Sequence, residues 1–109
     1  LGRIEHGYNV RPDLCAIDNP VNPRQYLATE NHPAKFYVDS LVHDPSALER
    51  LLTLFGSQRI MLGSDYPFPL GEADPGAMIE TMQSLSAEIR DNLLYKSALD
   101  FLGLSSLPE

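Results

Sequence analysis

An α/β fold with parallel strands is what this sequence predicts, on three observations. Two short apolar runs, Phe36-Tyr37-Val38-Asp39-Ser40-Leu41-Val42 and Ile60-Met61-Leu62, read as buried strands. Between them lies one amphipathic helix carrying both of its end signals, so strand, helix and strand follow within about thirty residues, the pattern of a βαβ unit with parallel strands. The second run then stops at Gly63-Ser64 and passes through Asp65 into Tyr66-Pro67-Phe68-Pro69, which continues neither a strand nor a helix.

Two parallel strands cannot close a sheet, because such sheets need both faces covered. A free-standing domain of 109 residues would offer about four or five strands, and this sequence offers two, at most three. The expectation is therefore a piece of a larger α/β fold: the C-terminal portion, roughly the last quarter to third, of a (β/α)8 TIM barrel of about 250 residues. An opening on Leu1-Gly2-Arg3 without an initiator methionine fits the same reading. Residues 1–109 are then the last strands and helices of a single barrel domain.

Composition narrows the function classes. A hydrophobic fraction of 43% is that of a globular chain. With 15 Asp+Glu against 8 Lys+Arg the net charge is -7, and no basic block offsets it, which disfavours nucleic acid or an anionic membrane surface as a partner. Cys15 is the sole cysteine, so neither a disulfide framework nor a Cys-based zinc site is expected, and inert packing in a reducing, cytoplasmic compartment suits it. No apolar run approaches the roughly 18 residues that span a bilayer.

Taken in order, Arg11-Pro12-Asp13 ends any early helix, since proline disfavours helical geometry in the residue before it. Asp18-Asn19-Pro20, Asn22-Pro23 and Asn31-His32-Pro33 mark an irregular stretch with at most a turn of helix over 24–29. Asp44-Pro45 supplies an N-cap and a first-turn proline for a helix bearing Leu48, Leu51, Leu52 and Phe55, which Gly56 stops. Asp74-Pro75 repeats that start signal ahead of Met78, Ile79 and Met82. Ser86 caps a last helix, with Ile89, Leu93, Leu94, Ala98, Phe101 and Leu102 on its apolar face and Gly103 as its stop. Asp65, just past the C-terminal end of a buried strand, stands where α/β enzymes keep catalytic groups; a turn-capping aspartate is the plainer alternative.

At this point the residues carry a resemblance. The two segments from Phe36 through Asp44-Pro45 and from Ile60 through Asp65-Tyr66-Pro67-Phe68-Pro69 resemble the C-terminal part of the amidohydrolase superfamily. Gly2-Arg3-Ile4-Glu5-His6-Gly7-Tyr8, Arg11-Pro12-Asp13-Leu14 and Asp18-Asn19-Pro20 look like its non-oxidative decarboxylases. The resemblance implies a metal-dependent barrel in which the second strand is the eighth and Asp65 is a ligand of Zn2+ or another divalent metal. A carboxylate oxygen suits a site whose other protein ligands are imidazoles. In the family those histidines and the catalytic base lie upstream of Leu1, so His6, His32 and His43 are not assigned as ligands. The implied chemistry uses a metal-activated water and no organic cofactor, with Asp65 also orienting that water.

The resemblance further implies that Arg3 and Arg11 bind a small acidic substrate, Arg3 reaching across the interface of a homodimer. Guanidinium pairs a carboxylate bidentately; a solvated surface arginine, or for Arg11 a structural ion pair, is the plainer reading. Phe68 matches an aromatic that lines the pocket, against ordinary loop packing. Asp39 and His43 are candidates for support of the metal site, against a satisfied hydrogen-bond network. The stretch 28–35 departs from the family pattern and is expected to border the pocket; Lys96-Ser97-Ala98 departs without touching chemistry. Another hydrolase or aromatic-acid decarboxylase of the superfamily would share Asp65. A complete, non-catalytic acidic interaction domain is the alternative from a different class.

Overall fold

The computed structural model describes residues 1–17 and 20–107, so Asp18 and Asn19 of the Asp18-Asn19-Pro20 turn lie outside the described residues. Strands β1 (Val38–Asp39) and β2 (Ile60–Met61) pair in parallel, Val38 opposite Ile60 and Asp39 opposite Met61. The parallel βαβ order expected from the sequence is therefore present. Both strands are shorter than the apolar runs that contain them. Among the described residues each has only the other as a neighbour, and a parallel strand between two neighbours would be held over more of its length.

The connecting helix α3 (Pro45–Phe55) forms as its end signals require. Asp44 Oδ1 accepts the Ser46 N–H at 2.8 Å and its hydroxyl at 2.8 Å, and these bonds hold the Asp44 carboxyl below the usual carboxylate range. Gly56, at φ 77, supplies the stop through a positive φ that glycine takes without steric cost. Helix α3 buries Leu48 and Phe55 against Ile60, and the same core takes Leu93, Ile79 and Leu27. Leu48→Ala is expected to destabilise the protein by about 2–5 kcal/mol, read from denaturant unfolding, because a fully buried leucine leaves a cavity this small core cannot refill.

Three local expectations are corrected. The start signal at Asp74-Pro75 makes a turn, in which the Asp74 carbonyl accepts the Ala77 N–H, and α4 (Ala77–Thr81) begins only after Gly76. Gly76 sits at φ 92 with its N–H on Glu72 Oε2, and that left-handed residue cannot propagate a right-handed helix. The last helix is not uniform: α5 (Ala87–Asp91), started by Ser86 Oγ on the Ile89 N–H, runs through a π turn at Asn92–Lys96 into α6 (Ser97–Leu102), closed by Gly103 at φ 69. The π turn has a visible cause. Asn92 Nδ2 donates to Ser57 Oγ and Ser97 Oγ donates to the Ser57 carbonyl, and a five-residue repeat places both on one face. Finally, Cys15 is exposed rather than packed inside, because α2 (Pro12–Cys15) lies against α1 (Gly2–Val10) and neither helix has a buried residue.

Helix α1 ends at Arg11 as the proline after it requires, and is tied down by Glu5 accepting from Arg24 Nε at 2.6 Å and by the Tyr8 hydroxyl on the Pro20 carbonyl. A 3-10 turn at Pro23–Tyr26, capped by Asn22, is the single turn expected over 24–29. The α4 C-terminus is closed from outside by Arg90, whose guanidinium donates to the carbonyls of Ile79, Met82 and Leu85. No helix among the described residues is long and apolar enough to cross a membrane.

Candidate metal and substrate site at the strand ends

The site is built where β2 leaves the sheet. Gly63 is required there for space, because a Cβ on it would lie 2.8 Å from Asp39 Cβ and 2.9 Å from Asp39 Cγ. Asp39 thus packs over the exit of β2, and its Oδ1 accepts the Leu41 N–H at 2.9 Å, which holds the carboxylate in a local turn. Buried Ser40 donates its N–H to the Met61 carbonyl at 2.8 Å, and its hydroxyl accepts the Gly63 N–H at 3.3 Å.

Asp65 follows at φ 57, a left-handed conformation uncommon for any residue but glycine and seen most often for Asn and Asp. Its carbonyl accepts the Phe68 N–H at 2.8 Å across a turn with a cis Tyr66–Pro67 bond, and Tyr66 N donates to Ser64 Oγ. The Ser64 carbonyl then accepts the Glu72 N–H at 2.8 Å, closing the loop 64–72 on itself. The Asp65 carboxylate is exposed and makes no hydrogen bond or ion pair among the described residues. Strained backbone with an uncommitted carboxylate is the pattern of a functional position, whereas a turn-capping aspartate would have its oxygens on backbone N–H groups.

The remaining predicted residues are not gathered around it. His43 is exposed, at φ 52, four residues beyond Asp39 as Asp65 is four residues beyond Met61; the two therefore hold matching places in the exit loops of the paired strands. Phe68 is 65% exposed on the Asp65 loop, with Tyr66 and Leu70 more exposed still. Arg3 stands on α1, exposed and without a partner among the described residues. Arg11 is engaged with Asp13 in a two-pronged pair at 3.0 and 2.7 Å, which raises the arginine and lowers the aspartate. Among the described residues no three His, Cys, Asp or Glu side chains come together to hold a metal. One ligand is nevertheless what a hard oxygen donor in the state of Asp65 can supply.

Two features lie at the opposite, N-terminal end of the strands. The loop 28–35, expected beside the pocket, packs against Gly56, Ser57 and Gln58, with Ala34 N on the Phe55 carbonyl and Ala28 N on the Leu54 carbonyl. In a parallel βαβ unit a loop that enters a strand must lie at the end away from the loops that leave it, so the correction follows from topology. Beside it a cleft of about 380 Å³ is lined by Gln58, Arg59, Asn92, Lys96, Ser97 and Asp100. Arg59 lies 4.8 Å over the Tyr37 ring and donates to the Ala34 carbonyl, while the Tyr37 hydroxyl donates to Asp100. That bond to a carboxylate raises the Tyr37 pKa, and burial adds to it. Sequence reasoning missed this clasp; the signal was a tyrosine and an arginine each immediately before a strand.

The amidohydrolase family profile matches residues 1–104. The chain belongs to the amidohydrolase family. Among its relatives, the 2-amino-3-carboxymuconate-6-semialdehyde decarboxylase of Dictyostelium discoideum is 55% identical over 104 residues, 95% of this chain and 27% of the relative. The decarboxylase of the same name from Caenorhabditis elegans is 46% identical over 103 residues, 94% of this chain and 24% of the relative. This amidohydrolase chain thus spans about a quarter of the length of the relatives it matches. Its helices and short parallel strands are those of an amidohydrolase segment.

Proposed function

We propose that residues 1–109 are the C-terminal portion of the (β/α)8 barrel of a metal-dependent carboxy-lyase that decarboxylates 2-amino-3-carboxymuconate-6-semialdehyde, without an organic cofactor, as a cytoplasmic homodimer. The observation that carries the reading is the uncommitted Asp65 carboxylate at the C-terminal end of a parallel strand, in a chain 55% identical to a decarboxylase of that name. The state of the surface supports a portion of something larger. Its 7595 Å² exceeds the roughly 6,000 Å² of a compact monomer of this mass, and its radius of gyration of 16.0 Å exceeds the roughly 13 Å of a compact domain this long. Both differences disfavour a self-contained interaction domain.

In this reading Asp65 holds Zn2+ or another divalent metal together with imidazoles outside the chain. A bound metal of this kind supplies Lewis acidity and lowers the pKa of a coordinated water to about 7. With the metal bound, the Asp65 carboxylate would hold it and would help to orient the activated water. Arg3, unpaired among the described residues, pairs a carboxylate of the acidic substrate from the neighbouring subunit. Exposed Ile4, Val10 and Leu14 on α1 and α2 supply apolar surface for that dimer contact. Phe68 lines the pocket from the Asp65 loop, and Asp39, at the end of β1, and His43, in its exit loop, support the metal site. Arg11, already paired with Asp13, is the weaker substrate ligand of the two arginines.

The test is turnover of the named semialdehyde by the intact zinc-loaded enzyme, followed as carbon dioxide release. Other decarboxylases and hydrolases of the family share Asp65, so Arg3 discriminates. Arg3→Ala is expected to raise KM by roughly ten- to a hundredfold with kcat little changed, the loss of one charge-assisted pair made equally in ground and transition states. Unchanged KM would remove the reason for assigning this substrate rather than another of the family.

A further inference from the structure

In a regular parallel ladder the Ser40 N–H on the Met61 carbonyl would be followed by the Gly63 N–H on the Ser40 carbonyl. The first bond is present at 2.8 Å, but the Gly63 N–H goes instead to Ser40 Oγ at 3.3 Å. A side-chain oxygen has taken the place of the residue's own carbonyl at the last rung. The two acceptors lie in different directions from the β1 backbone, so the exchange turns the β2 chain out of the sheet at Gly63, two residues before Asp65. Ser40 is 3% exposed, which leaves its hydroxyl little freedom. Asp39 packs over the same glycine, closing the other side of the exit.

We infer that Ser40 is a positioning residue for Asp65: its buried hydroxyl ends the ladder on the Gly63 N–H and so sets the direction in which the Asp65 carboxylate is presented. The inference rests on the reading of Asp65 as a metal ligand. Ser40 touches neither metal nor substrate and acts through Gly63 and Ser64. A polar residue inside an apolar strand thereby has a specific task, one that alanine cannot perform and threonine can.

The test uses the intact enzyme stripped of metal and titrated with Co2+, whose affinity and visible absorption both report the ligand geometry. Ser40→Ala is expected to weaken Co2+ binding about 10–100-fold and alter the absorption bands, the usual effect of removing a group that orients a ligand. Ser40→Thr, which keeps the hydroxyl, is expected to restore both, and Ser40→Cys, isosteric with a weak acceptor, to fall between and to carry the test where the alanine variant does not fold. Wild-type affinity and bands in Ser40→Ala, alongside lost binding in Asp65→Asn, would overturn the role of Ser40 while leaving Asp65 a ligand. Full Co2+ binding by Asp65→Asn would overturn the ligand reading itself, and the Ser40 inference with it. Failure of Ser40→Thr to restore what Ser40→Ala loses would assign the effect to packing and overturn the hydroxyl's role.

Discussion

Asp65→Asn in the intact enzyme is expected to lower kcat/KM by on the order of a thousandfold, about 4 kcal/mol of transition-state stabilisation, while leaving the melting temperature of the metal-free protein unchanged. The two halves of this expectation come from the same geometry. The carboxylate makes no hydrogen bond or ion pair among the described residues, so its charge contributes nothing to the metal-free fold that asparagine would forfeit. Asparagine also tolerates the left-handed φ of 57 as aspartate does, so the substitution adds no backbone strain. What it removes is the anionic donor, which neutral asparagine replaces only poorly on a divalent cation. Metal content after dialysis, the metal-free melt and kcat/KM separate the possibilities. A fallen metal-free melt with intact metal content would make Asp65 a structural residue, and the assignment would be wrong.

The parts of this chain that its sequence makes legible are those whose causes are local. Helix α3 is written in the Asp44-Pro45 cap, the leucine spacing and Gly56, and all of these act in the structure as expected. Asp65 is legible because an apolar run, a break and a proline-rich loop follow each other within a few residues. The corrections share a different physical origin. The π turn at Asn92–Lys96 brings Asn92 and Ser97 onto Ser57, 35 and 40 residues away in sequence, and a 3.6-residue apolar pattern runs through it without a trace. The hydroxyl of Ser40 is visible in sequence only as a polar residue in a strand, since its partner Gly63 is 23 positions on. His43 takes φ 52 with no glycine to announce it. Helix α1 shows no clear apolar stripe against this chain and buries none of its residues here, so a pattern-based reading has no core face to find. The place of the loop 28–35 follows from topology rather than from chemistry: once β1 and β2 are parallel, the entry loop of β1 has to lie away from Asp65.

Gly71→Ala is expected to do most damage to function among substitutions that touch no functional side chain. A Cβ there would lie 2.4 Å from the Ser64 carbonyl oxygen and 3.1 Å from both the carbonyl carbon and the oxygen of Asp65. All three are backbone atoms, so no side chain can rotate aside, and the loop itself must open. Opening it strains or breaks the Glu72 N–H bond to the Ser64 carbonyl, at 2.8 Å, and the Gly71 N–H bond to the Phe68 carbonyl, at 3.0 Å, which together hold the turn that fixes Asp65. The direct cost is that of an overpacked site, about 1–3 kcal/mol of stability. The functional cost is larger in proportion, because the displaced residue is the proposed ligand: metal affinity is expected to fall by at least about tenfold and kcat/KM by about a hundredfold, as shifts of an ångström do at metal sites. Gly2→Ala is the matched control, since nothing lies within 4 Å of a Cβ at that position and neither quantity should move. If Gly71→Ala instead binds metal as the unmodified enzyme does, the close approach that makes glycine necessary there is not what presents Asp65.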